Sequence, residues 1–99
     1  MGMRTVPAER HKVKRILQEE GWTVIEITRP RPSQLDLFPQ GVIPLTTWCE
    51  QHIGTGQIEP GERWLDNSDV WYMFEWYGFW SFHFKHGRDA TAFALRFAK

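Results

Sequence analysis

Cysteine, histidine and carboxylate side chains carry out much of protein chemistry, and this chain spaces several of them in recognisable patterns. Cys49-x-x-His52 and His83-x-x-His86 together supply the donor types of a tetrahedral zinc site. On a helix, positions 49 and 52 share a face, so the first pair can chelate. On a strand, positions 83 and 86 point to opposite faces, so the second pair chelates only if the strand ends at about Phe84. Structural zinc usually comes with more cysteines than one. The expected state is therefore a buried thiol and scattered surface histidines, with no metal site. Cys49 also raises the question of a nucleophile, but no local signature surrounds it and no partner can be assigned. Asp66 and Asp69 near Glu62 form an acidic cluster that fits a solvated turn better than a cation site. Gly54-Thr-Gly56 lacks the further glycine and the lysine of a phosphate-binding loop. No catalytic residue and no cofactor is expected, and the chain reads as a non-enzyme.

Attraction to phosphate is a different chemistry, and the basic residues could supply it. Arg10, Lys12, Lys14 and Arg15 crowd the N-terminal segment together with Arg4, and Arg29 and Arg31 follow further on. Cations in the first turns of a helix oppose its dipole, so their placement invites a reason. Tryptophan or tyrosine beside such a patch can stack bases, which makes DNA a candidate partner. Glu9, Glu19 and Glu20 dilute the patch, and a small core needs most of the aromatics.

The elements that must position these groups follow from local pattern. Pro7 suits a first helical turn, and Ala8 to Glu20 then reads as a helix ended by Gly21. Val13, Ile16 and Leu17 give that helix one apolar stripe. Trp22 to Thr28 is rich in β-branched residues and reads as a strand. Arg29-Pro-Arg-Pro-Ser33 then stops regular structure, and an exposed, proline-rich connection is expected at about 29–44. Leu45 to Ile53 suits a short helix, and residues 55–69 are turn-rich. Val70 to Trp76 and Phe79 to Lys85 read as a hairpin about Tyr77-Gly78. Alternation puts Trp80, Phe82 and Phe84 on one face, opposite Ser81, His83 and Lys85. Asp89 is a candidate N-cap or first-turn acid, and Ala90, Phe93, Ala94 and Phe97 mark one side of a closing helix. The expected fold class is α+β: a small three-stranded, mainly antiparallel sheet with two or three helices on one face.

Composition bounds what such a domain can be. Ninety-nine residues allow one domain, spanning 1–99, with a core of modest depth. Hydrophobic residues at 41% and aromatics at 15% exclude a disordered tail. Twelve basic and twelve acidic residues cancel, which argues against a surface that coats nucleic acid all round. The balance hides an asymmetry: residues 1–32 carry a net +3, residues 33–72 a net −5, and residues 73–99 a net +2. A single cysteine excludes an intrachain disulfide framework and fits a reducing cytosol. No apolar run approaches the ~20 residues that span a bilayer. Met1 to Val6 lacks the apolar stretch of a signal peptide, and Val6 breaks the myristoylation pattern. A cytoplasmic location with no membrane partner is expected.

Two resemblances add to this reading. Trp80-Ser-Phe-His-Phe84 and Asp89-Ala-Thr-Ala-Phe-Ala-Leu-Arg-Phe97, with Trp48 upstream, resemble a unit of small phage- and prophage-encoded proteins of unknown role. That likeness covers about a third of the chain; it implies a viral or mobile-element origin and supplies no catalytic residues. Gln34-Leu35-Asp36-Leu37-Phe38 resembles the bacterial sliding-clamp-binding motif, Gln-Leu-Ser/Asp-Leu-Phe, at all five positions. Polymerases, mismatch-repair proteins and other clients of the clamp carry that motif, and it binds as an extended peptide in a hydrophobic groove. The resemblance implies that Gln34 hydrogen-bonds at the groove entrance and Leu35 covers its upper wall. Asp36 would face solvent, while Leu37 and Phe38 would enter the deep pocket. The partner implied is the sliding clamp, the beta subunit of the replicative polymerase.

The flanking residues suit this independently, since Pro30, Pro32 and Pro39 disfavour a helix and hold a peptide extended. Burying Leu37 and Phe38 in a partner yields roughly 1.5–3 kcal/mol each, before ordering costs. The competing expectation is that Leu35, Leu37 and Phe38 fold back as a lid on the chain's own core. Beyond clamp and DNA, a third class is an anti-defence inhibitor of a host protein that uses the acidic middle as a DNA-like surface.

Overall fold

The computed structural model describes residues 8–28 and 41–97. Helix α1, Ala8–Glu19, is followed by strand β1, Thr23–Thr28. Helix α2 is Ile43–His52, strand β2 is Gly56–Ile58, and a 3-10 turn occupies Glu62–Trp64. Strands β3, Trp71–Trp76, and β4, Phe79–Phe84, form the hairpin, and helix α3, Gly87–Phe97, closes the order. The sheet runs β1-β4-β3-β2. β4 pairs antiparallel with both β1 and β3, while β2 pairs parallel with β3.

Local sequence explains most boundaries. At the end of α1, Gly21 adopts φ +83°, Gly21 N–H donates to Gln18 O at 3.1 Å and Trp22 N–H to Leu17 O at 3.0 Å. That pair of bonds is a Schellman cap, which needs the left-handed residue that glycine supplies cheaply. α2 begins two residues before the expected Leu45, because Pro44 sits in its first turn, where a missing N–H costs nothing. Asp89 lies in the first turn of α3, as anticipated.

The expected three-stranded sheet with helices on one face needs correction on both counts. The sheet has four strands and is mixed, and helices cover both of its faces. On one face Ile27, Trp71, Met73, Trp80, Phe82 and Phe84 pack beneath Leu45 and Cys49 of α2 and Ala90 and Phe93 of α3. On the other, Tyr72 and Phe74 pack beneath Val13 and Leu17 of α1. The reason is visible in β3: Trp71, Tyr72, Met73 and Phe74 are all buried, without alternation. A continuous apolar run of this kind belongs to a strand covered on both sides.

β2 has a different cause. Three residues between glycines carry no pattern of their own, and Trp71 holds them. Its indole N–H donates to Gly54 O at 2.8 Å, and its ring lies so close to Gly56 that a Cβ there would overlap both the ring and the Trp71 carbonyl. Gly56→Ala therefore forces β2 off β3 and is expected to cost about 1–3 kcal/mol in urea unfolding. Phe93 centres the larger core, with ring centroids 4.6 Å from Phe82, 5.1 Å from Phe84 and 5.0 Å from Phe97. Phe93→Ala is expected to cost about 3–5 kcal/mol, enough to unfold a domain of this size. A variant that melts like the parent would show that this face is not the main core.

Candidate functional site

The zinc and nucleophile patterns fail for a topological reason. Cys49 reaches the sheet face beneath α2, whereas His83 lies in β4 on the face beneath α1, so the sheet stands between them. β4 does end at Phe84, yet His83 is fully buried and His86 exposed. No group of three or more His, Cys, Asp or Glu that could hold a metal ion occurs among the described residues. Burial, with Glu50 and Asp89 nearby, pushes the Cys49 thiol up to about 12. A thiol that stays protonated is inert as a nucleophile. Cys49 in the folded chain is expected to resist a disulfide-exchange reagent at pH 8 and to react fully in urea. Rapid labelling of the native chain would contradict its burial.

The acidic cluster is a hydrogen-bonded turn. Asp66 Oδ1 accepts the Ser68 backbone N–H at 2.8 Å and the Ser68 hydroxyl at 2.9 Å, which holds its carboxyl below the usual range. Asp69 is buried, and its Oδ2 accepts the Gln57 amide at 2.7 Å and the Tyr72 hydroxyl at 3.0 Å. Burial, with the Asp69 carboxylate beside it, pushes the Tyr72 phenol up to about 12. Beside this turn lies a cleft walled by Leu17, Leu65, Glu20 and Lys85, with Trp22 stacked on Tyr72 at 5.1 Å.

The basic residues separate into groups. Arg10 donates through Nη1 to Glu75 O at 3.0 Å and pairs through Nη2 with Glu59 Oε1 at 2.8 Å. Its guanidinium also lies 5.3 Å from the Trp76 ring centroid, and Lys14 Nζ lies 5.2 Å from it. Glu59 takes up φ +53°, a conformation uncommon for a residue with a side chain. Its carboxylate accepts the Glu75 N–H at 3.0 Å, so Arg10 and Glu59 brace α1 against the sheet where β2 ends. Lys12 and Arg15 are exposed. Arg29 and Arg31 lie outside the described residues, as do Gln34, Leu35, Asp36, Leu37 and Phe38.

One polar arrangement escaped the sequence reading. Trp76 Nε1–H donates to Ser81 Oγ at 2.6 Å, and Ser81 Oγ contacts His83 Nε2 at 3.3 Å. Ser81 and His83 are both fully buried, so the solvent-facing role expected of His83 is wrong. The signal was present: residues 81 and 83 share a strand face, and that face sits in a hairpin whose other strand opens with the unalternating run Trp71-Tyr72-Met73-Phe74. A serine–histidine contact resembles a catalytic pair, but neither group reaches solvent and no carboxylate orients the ring among the described residues.

No family model matches the chain, and no curated protein or solved structure matches it either.

Proposed function

We propose that this chain is a non-enzymatic interaction protein of phage or prophage type that docks on the bacterial sliding clamp through Gln34 to Phe38 and thereby modulates replication or repair. The observation that carries this reading is the five-residue match in a proline-bounded connection between β1 and α2. The fold supports it indirectly. Both faces of the sheet find helical cover among the described residues, so the core-lid role for Leu35, Leu37 and Phe38 loses its main reason. The groups that suggested chemistry are occupied in holding the structure together. Cys49 is a core thiol, Asp69 anchors Tyr72, and Arg10 braces α1. The nucleic-acid alternative loses Arg10 to its ion pair with Glu59 and part of Lys14 to Trp76.

The test pairs a calorimetric titration against a bacterial sliding clamp with a thermal melt. The parent is expected to bind with micromolar affinity, weakly dependent on salt, because an apolar peptide releases few counterions. Leu37→Ala with Phe38→Ala is expected to abolish binding while leaving the melt unchanged, since both pocket anchors are gone. Asp36→Ser should bind like the parent. No heat at high micromolar parent concentration would reduce the motif to coincidence. A double variant that unfolds would return those side chains to the chain's own core. Steeply salt-dependent binding to DNA, with none to the clamp, would favour the nucleic-acid class.

A further inference from the structure

His83 is the one buried polar side chain among the described residues with an unpartnered atom: its Nδ1 has no hydrogen-bond partner there. The neutral tautomer that fits is the one in which Nε2–H donates to Ser81 Oγ, which also accepts from Trp76, because it leaves Nδ1 as a bare acceptor and strands no N–H. An imidazolium carries a proton on both nitrogens, so its Nδ1–H would be a buried donor with no acceptor. The charges around it do not help. α1 places Lys14 over the site, with Arg10 one turn earlier above Trp76 and the exposed His11 against the same ring at 5.6 Å. β1 puts Val24 alongside, and Glu26, next on that face, is exposed. β3 contributes Tyr72, whose hydroxyl is held by Asp69, and β4 itself carries the exposed Lys85. Phe74 meets the ring edge-on at 5.3 Å.

The core beneath α1 has no buried residue in common with the core beneath α2 and α3. It can therefore open by itself, as contiguous units of a fold do. We infer that the Trp76–Ser81–His83 chain is an acid-sensitive lock: protonation of His83 releases α1 from the sheet while the core beneath α2 and α3 stays closed. Burial, aided by Lys14, lowers the His83 pKa from 6.5 to about 4, in keeping with this geometry. An opened His83 takes up its proton near 6.5. Closure is thus fully stable above that pH and weakens as pH falls through the window from 6.5 to about 4.

Amide hydrogen exchange on the full chain, corrected for the intrinsic chemical rate, tests this. The opening constant of α1 amides is expected to rise about tenfold per pH unit below 6.5, with α3 amides not following. His83→Gln keeps a group that can bond Ser81 and cannot titrate, so its α1 amides should lose the slope. Ring titration of the parent by NMR needs no variant, and His83 should stay neutral until α1 protection falls. Three results would overturn the inference. They are α1 opening that ignores pH, α1 and α3 opening together, and a His83 that titrates near 6.5 with α1 still protected.

Discussion

The structure depends on the absence of a solvent face on β3 and β4. Trp71 to Phe74 and Trp80 to Phe84 are buried on both sides of the sheet, so one layer of helices cannot satisfy them. The three helices divide accordingly, α1 to one face and α2 with α3 to the other. The same constraint governs the polar atoms. Tyr72, Trp76, Ser81 and His83 are drawn beneath α1 by the strands that carry them, and each polar atom then needs a partner in place of water. Asp69 and the Asp66 turn supply partners for Tyr72, Gln57 in turn donates to Asp69, and Ser81 supplies a partner for Trp76.

That economy shapes the functional reading. Among the described residues, Cys49, Asp69, Ser81 and His83 are buried and bound up with the sheet and its helices. Among the described residues, exposed charges and single exposed apolar side chains such as Trp64, Tyr77 and Leu95 remain outside the two cores. Arg10 illustrates the opposite case, since its cation–π contact, ion pair and backbone hydrogen bond fix it as part of the frame.

Much of the fold was legible from residues alone. α1 ended at Gly21, the hairpin turned at Tyr77-Gly78, and Phe93 packed on Phe82 and Phe84, because each rests on a local signal. β2 was illegible, since Gly56-Gln57-Ile58 is a strand only through the Trp71 ring that holds it. The second covered face was half legible. Val13 and Leu17 marked an apolar stripe on α1, but the hydrophilic look of Ser81 and His83 suggested solvent. The unalternating run in β3 carried the contrary message. The Cys49-x-x-His52 and His83-x-x-His86 pairs looked like one donor set in sequence, yet Cys49 and His83 lie on opposite sides of a sheet, a separation that spacing does not encode. The resemblance of Gln34 to Phe38 to a clamp-binding motif falls outside the described residues.

The strand order also carries a kinetic meaning. Trp76 meets Phe79 across a two-residue turn, so β3 and β4 can pair early and at little entropic cost. The parallel pairing of Gly56 with Trp71, and the antiparallel pairing of Thr28 with Phe79, must wait for much longer stretches of chain to close. The hairpin is thus the natural nucleus, onto which β1 and β2 add from either edge. Loop-closure cost grows only by about 0.6 kcal/mol for each doubling of length. The length of chain between β1 and α2 can therefore change at little entropic cost to the addition of β1 to the hairpin.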